Sequence, residues 1–175
     1  GMIEAGFVVN AAGLYADRVA RDFGFSRRYG IVPFKGLYLL SEEPAGAFRA
    51  HVYPAPDVRN PFLGVHVTVT VDGRVKIGPT AIPALWRENY GGLAGFSASE
   101  LAEILCRQAG LFFGAGFDFR RRAWEEIQKN SKRVMVSLAG RLADGLKASD
   151  YRRWGEPGIR AQLVDVEKKT LVMDF

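Results

Sequence analysis

Apolar positions follow two rhythms in the opening stretch. Phe7-Val8-Val9 is an unbroken apolar run of the kind found in a strand buried on both faces. Leu14, Val19 and Phe23 recur at helical spacing, and Gly24 supplies a stop. Between them lies Asn10-Ala11-Ala12-Gly13, so the order is strand, small-residue turn, helix, as in nucleotide-binding α/β units. From Ile31 the period shortens. Ile31-Val32 and Leu37 to Leu40 read as a strand interrupted at Pro33 and at Lys35-Gly36. His51-Val52-Tyr53 and Phe62 to Val71 read as further strands. Asp72-Gly73 between alternating β-branched residues predicts a hairpin that returns over Arg74 to Gly78.

Helical spacing then resumes. Ser97 and Glu100 stand at capping-box spacing ahead of the stripe Leu101, Ile104, Leu105. A second helix is predicted from about Trp124 to Leu142, with Ile127, Val134 and Leu138 inward. Ile159 to Val166 and Thr170 to Val172 form a closing hairpin. The sum is an α+β domain, a curved and mostly antiparallel sheet with helices on one side.

Composition narrows the function classes. The chain has 175 residues, 48% apolar and 25% charged, ordinary for a globular domain and without a run near the ~18 apolar residues of a membrane span. No signal-peptide pattern opens it, and the glycine ahead of Met2 reads as a cloning scar. The single cysteine, Cys106, excludes an intrachain disulfide, fits a reducing compartment and is predicted to be a buried, inert thiol. A net charge of +5 suits an anionic substrate or cofactor surface. Arg120-Arg121-Arg122 reads as a solvated helix start, and no aromatic-studded basic stripe argues for nucleic acid. No His, Cys and carboxylate cluster has metal spacing, so no metal is expected.

His66 lies in a strand between Val65 and Val67 and shares a face with Gly64 and Thr68. It reads either as a general base near neutral pH or as a half-buried histidine bonded to backbone. Tyr53 reads equally as a pocket border or as core filling. The small residues Asn10, Ala12 and Gly13 permit close approach of a cofactor to backbone.

Eight stretches, in order and spread over nearly the whole chain, carry a family resemblance. They are Asn10-Ala-Ala-Gly-Leu-Tyr-Ala-Asp17, Ile31-Val-Pro-Phe-Lys-Gly36, Tyr53-Pro-Ala-Pro-Asp57, Pro61-Phe-Leu-Gly-Val-His-Val-Thr68, Asp72-Gly73, Gly78-Pro79, Pro157-Gly-Ile-Arg-Ala-Gln162 and Asp174-Phe175. Together they resemble the L-2-hydroxyglutarate oxidase/dehydrogenase family, within the D-amino-acid-oxidase-like flavoproteins. The resemblance implies an FAD-dependent oxidation of a small anionic 2-hydroxyacid by hydride transfer to flavin, with oxygen or a quinone receiving the electrons. It also implies a division into an FAD-domain remnant (1–28), a substrate-binding domain (29–158) and a hairpin returning toward the FAD domain (159–175). Arg160 takes the position of the carboxylate clamp, a role suited to the planar guanidinium fork, and Gln162 shares its sheet face. Tyr53 and Thr68 join them as substrate-binding candidates, and His66 and Arg160 as catalytic ones. Lys35 and Gly36 fall beside the flavin ring.

The chain departs from the family at Glu167-Lys168-Lys169, where an Asp-Gly turn is usual, at Met173, and at Gly114-Ala-Gly116. No Gly-x-Gly-x-x-Gly occurs in these residues, so this stretch alone is expected not to hold FAD and to self-associate through uncovered apolar surface. Localisation is expected to be cytoplasmic or peripheral to the inner membrane. Amino-acid or glycerol-3-phosphate oxidation, or a fold retained without chemistry, are the alternatives.

Overall fold

The computed structural model describes residues 3–25, 27–55, 64–114 and 117–172 (backbone only for 117–119 and 122). Parts of the expected Phe62 to Val71 strand and of the Tyr53–Asp57 and Pro61–Thr68 stretches fall outside these residues. So do Ala115-Gly116, Met173 and Asp174-Phe175.

A 3-10 turn at Gly13–Tyr15 leads into α1 (Ala16–Asp22), which stops at Gly24, where φ is +79°. Strand β1 (Tyr29–Gly36) pairs antiparallel with β7 (Gly158–Asp165) along its whole length, from Tyr29↔Asp165 to Gly36↔Gly158. The expected break at Pro33 does not occur. The Pro33 carbonyl accepts the Ala84 amide, on the side away from β7 and just past the end of β5 (Ile82–Pro83). A residue's N and carbonyl point the same way in a strand, so the donor that proline lacks removes no bond from the β1–β7 ladder.

With β8 (Thr170–Leu171) these strands form one sheet, in the order β5-β1-β7-β8. A second sheet has the order β3-β4-β2-β6, from β2 (Leu39–Leu40), β3 (His66–Val69), β4 (Val75–Gly78) and β6 (Arg153–Trp154). All pairings are antiparallel, and the α+β class holds. The curved, mostly antiparallel sheet expected from sequence forms, its strands falling into two four-stranded groups that meet at their strand ends.

Three short segments make the join: Leu37-Tyr38 from β1 to β2, Pro79 to Ala81 from β4 to β5, and Gly155 to Pro157 from β6 to β7. They are stitched together. The Gly155 amide donates to the Tyr38 carbonyl at 2.8 Å, the Thr80 amide to the Leu37 carbonyl at 3.1 Å, and the Leu37 amide to Thr80 Oγ1 at 3.0 Å. Gly78 has a φ of +149°, and a Cβ there would stand 2.7 Å from the Leu37 carbonyl oxygen. Only glycine lets the chains meet so closely.

The β3–β4 hairpin forms as predicted, with Gly73 at φ +77° and its amide donating to the Thr70 carbonyl. His51-Val52-Tyr53 contributes only a single bridge, Val52↔Val67, and β3 spans just His66–Val69. The closing hairpin also forms. Its turn places Lys169 at φ +56°, the left-handed region that favours glycine. Lys169→Gly should therefore raise stability by about 1 kcal/mol. Urea unfolding of the two chains checks this, and an unchanged midpoint would show that the turn relaxes without strain.

Helix α2 (Ala98–Gly114) covers the first sheet. Its buried positions, Glu100, Ile104 and Leu111, share one face, and Leu111 meets Val32, Phe34 and Val164. Cys106 lies off that face and is exposed, contrary to the buried thiol expected. Leu105 is likewise 44% exposed.

The long second helix is two helices, α3 (Phe117–Gln128) and α4 (Lys132–Ala139). The break falls in the polar run Lys129-Asn130-Ser131, where Ser131 turns to extended backbone (φ −81°, ψ 123°). The burial phase changes with it. Ile127 is 51% exposed, Val134 and Leu138 are half-buried, and the buried residues are Met135, Val136 and Ala139. These pack on Leu39, Val67, Val75 and Ile77 of the second sheet. Among the described side chains of α3 the buried one is Glu126, which accepts the Ala81 amide at 3.2 Å and binds Lys129, holding α3 to the join. Burial pushes its carboxyl above the usual range.

Phe7-Val8-Val9 forms no strand. No described strand pairs with it, and Phe7 is 96% exposed. Among the described residues no helix is long and apolar enough to cross a membrane, and no three His, Cys, Asp or Glu side chains gather as a metal site.

Candidate functional site

A cavity of 310 Å³ opens where the two sheets join, walled by Gly36, Tyr38 and Pro79 on the join and by Arg160 and Gln162 on β7. The placement follows from pairing. In β1 and β7, Phe34 faces Arg160, Val32 faces Gln162 and Gly36 faces Gly158, so these residues share one sheet face. Arg160 Nη2 donates to Gln162 Oε1 at 3.0 Å, and Gln162 Nε2 donates to the carbonyls of Leu163 and Val172. The amide is thus held from both ends and presents its oxygen to the guanidinium. Beyond Arg160, Gly158 has open space where a Cβ would point, while the space over Gly36 is taken by the Pro79 ring.

His66 stands beyond the Tyr38 wall. It pairs across the ladder with Gly78, and its ring lies 4.5 Å from the Tyr53 ring and 6.1 Å, edge-on, from Tyr38. Its Nδ1 is 3.0 Å from the Gly64 carbonyl oxygen. A carbonyl can only accept, so Nδ1 carries the hydrogen and Nε2 keeps its lone pair. Burial drives the imidazole below its ordinary pKa, helped by the charges of Lys76 and His51 and opposed by the Gly64 bond. The result is a histidine held neutral in a defined tautomer. It is the half-buried, backbone-bonded residue of one expectation and has the basic nitrogen of the other. Thr68 follows His66 on the same strand face.

The expected site divides in two. Arg160, Gln162 and Gly36 meet at the cavity, with His66, Tyr53 and Thr68 beyond Tyr38. Lys35 alternates to the opposite face of β1, where its Nζ binds Asn89 Oδ1 at 3.1 Å and burial pushes the ammonium below its usual pKa. Asn10, Ala12 and Gly13 form an exposed turn. Asn10 Oδ1 accepts the Ala12 amide and its Nδ2 donates to the Ala16 carbonyl. Gly13, at φ +53°, has open space where a Cβ would point, so a ligand can approach this backbone closely.

Sequence reasoning missed Tyr38, which separates the cavity from His66, and an ionic centre beneath α1. Arg87 is fully buried. Its guanidinium donates to Asp17 Oδ1 at 2.7 Å, to Asp17 Oδ2 at 3.0 Å and to the Leu14 carbonyl. Asp17 also receives Arg21, Arg107 and the Ile31 amide. Burial raises the Asp17 carboxyl, but the bonds from Arg87 and Ile31 and the charges of Arg87 and Arg107 outweigh it and leave the group below its ordinary pKa. Glu100, expected to cap its own helix, turns instead to the Arg87 amide and to Arg18. Of the capping box only one half forms, the Glu100 amide donating to Ser97 Oγ at 3.4 Å. This centre ties the Asn10–Gly13 turn and α1 to α2 and β1.

The chain is 36% identical over 174 residues to the human mitochondrial L-2-hydroxyglutarate dehydrogenase, covering 99% of this chain and 37% of the relative. It is 35% identical over 176 residues to L-2-hydroxyglutarate dehydrogenase of Escherichia coli (strain K12), covering 100% and 41%. The Caenorhabditis elegans mitochondrial enzyme of that name gives 37% over 175 residues, covering 96% and 38%. The chain thus spans about two fifths of the length of these relatives. A family model described as FAD dependent oxidoreductase matches residues 1–166. The chain belongs to the FAD-dependent oxidoreductase family.

Proposed function

We propose that this chain supplies the substrate-binding side of an enzyme that oxidises L-2-hydroxyglutarate to 2-oxoglutarate. The observation that carries the proposal is the pairing of Arg160 with Gln162 on one wall of the cavity. The guanidinium holds the C1 carboxylate, and Gln162 fixes the guanidinium. Gly158, with open space where a Cβ would point, leaves room for the C2 carbon. His66 Nε2 takes the hydroxyl proton as C2 gives up its hydrogen. FAD, when bound, would supply the two-electron acceptor for this oxidation. The open Gly13 backbone and the exposed Asn10–Gly13 turn fit close approach of such a group, and Asn10, Ala12 and Gly13 would hold it through main-chain atoms. Lys35 belongs to this reading only through its neighbour Gly36, since its own side chain faces away from Arg160. Exposed Phe7, Val8 and Val9 support apolar contact with the remaining flavin domain, and the division at 28/29 and 158/159 is part of the same proposal.

The test is anaerobic reduction of the flavin in the complete protein by L-2-hydroxyglutarate, its D-enantiomer, glycerol 3-phosphate and amino acids. Bleaching by the L-hydroxyacid alone is expected, and faster bleaching by an amino acid or by glycerol 3-phosphate would overturn the assignment. His66 adds a pH signature. Only the neutral imidazole accepts a proton, and its pKa lies below the ordinary value. The acid limb of kcat/KM should therefore fall below pH ~6.5, with the rate retained as pH drops through the usual histidine range. His66→Gln should abolish that limb, and a limb unchanged in this variant would exclude His66 as the base.

A further inference from the structure

Lys76 and Thr68 stand directly opposite each other across the β3–β4 ladder, on the sheet face that does not meet α4. His66 and Gly78 form the next pair on that face. Lys76 is half-buried, and its Nζ lies over the Tyr38 ring, 4.4 Å from the centroid. Among the described residues it has no carboxylate partner, and the Thr68 hydroxyl has no hydrogen-bond partner. A half-buried ammonium without a counter-ion is costly, and an aromatic face compensates only in part. The same Tyr38 ring walls the Arg160 cavity. One aromatic side chain therefore borders the cavity that Arg160 lines and also lies under an ammonium with no carboxylate partner among the described residues.

We propose that Lys76 and Thr68 form a second anion subsite that takes the distal carboxylate of a dicarboxylic 2-hydroxyacid, and so select diacids over monoacids. This rests on the reading of Arg160 as the clamp for the first carboxylate. The ammonium supplies charge, the hydroxyl supplies direction, and Tyr38 spaces the two subsites, so the chain length between the carboxylates is read as well as their number. His66 lies diagonal to Lys76 on this face, which places the base between the two ends of the substrate.

The experiment uses the complete flavin-loaded protein with two pairs of probes. L-2-hydroxyglutarate and L-2-hydroxypentanoate report turnover, and glutarate and pentanoate report binding through perturbation of the flavin spectrum. In the wild type, glutarate should bind more tightly than pentanoate. Lys76→Met should weaken glutarate about 10-fold or more, the scale of a hydrogen bond to a charged group, and leave pentanoate unchanged. KM for the hydroxydiacid should rise by a similar factor with little change in kcat, Lys76→Arg should recover part of it, and Thr68→Val should give a smaller loss of the same kind. Equal binding of glutarate and pentanoate by the wild type overturns the subsite, as does an equal loss for both probes in Lys76→Met. If glutarate is preferred through Lys76 yet L-2-hydroxyglutarate is not oxidised, the subsite stands and the proposed reaction falls.

Discussion

Arg160→Ala in the complete enzyme should lower kcat/KM for the hydroxyacid by at least 10- to 150-fold, the ~1.5–3 kcal/mol of a hydrogen bond to a charged group, while leaving flavin content unchanged. The loss should exceed that range if, as proposed, the guanidinium orients the reacting carbon as well as binding the carboxylate. Gln162 holds one edge of the fork through Nη2, so the free geometry is already narrowed before substrate arrives. Arg160→Lys keeps the charge, loses the fork and should restore only part of the rate. Gln162→Leu should give an intermediate defect that appears in kcat more than in KM, since it loosens orientation without removing the cation. Single-turnover flavin reduction at matched cofactor occupancy measures all three. Wild-type rate and affinity in Arg160→Ala would move the carboxylate site elsewhere.

Arg87→Ala should destabilise the fold by about 3 kcal/mol or more, because it removes a fully buried guanidinium and leaves a buried carboxylate with fewer partners. Arg21 and Arg107 remain within 2.7 and 3.2 Å of Asp17, which keeps the loss near the lower end of the range for broken buried pairs. Arg87→Met with Asp17→Leu should recover much of it, since a buried ion pair replaced on both sides by apolar groups is often neutral. Urea midpoints of the two single variants and the double variant give the coupling. Additive losses would mean that Arg87 acts through Glu100 and Glu103 and not through Asp17.

Local signals carried most of the fold. The two hairpins were legible because Asp72-Gly73 and the short gap between Val166 and Thr170 leave a chain of alternating residues few other options. Gly24 and Ser97 marked real helix boundaries. Errors arose where tertiary context decides. Pro33 reads as a break in isolation, and only the direction of its carbonyl shows that no ladder bond is lost. Phe7-Val8-Val9 reads as a strand, but a strand needs a neighbour. The Trp124 to Leu142 helix kept an apolar rhythm across Asn130-Ser131, and the change of burial phase from Glu126 to Met135 could not be seen in one dimension. At the site, Arg160 and Gln162 were legible together because strand alternation fixes their common face. The same rule would have placed Lys35 opposite Phe34 and Gly36. Tyr38 and Arg87 carried no local signal, since one gains its position from the meeting of two sheets and the other from a carboxylate seventy residues away.

Where the two sheets meet has a consequence for how such a cavity can change. Met135, Val136 and Ala139 stabilise one sheet and Leu111 the other, while the cavity lies where β1 and β7 run into the connecting segments of two or three residues each. Phe34 and Ala81 bring the first core to one wall, but Tyr38, Pro79 and Arg160 belong to neither core. Lengthening Gly155 to Pro157, or exchanging Tyr38 for a smaller ring, alters the span between Arg160 and Lys76 without repacking either core. Ligand length in this architecture is thereby a parameter separable from folding stability, and related chains can diverge in the acid they accept while keeping both sheets intact.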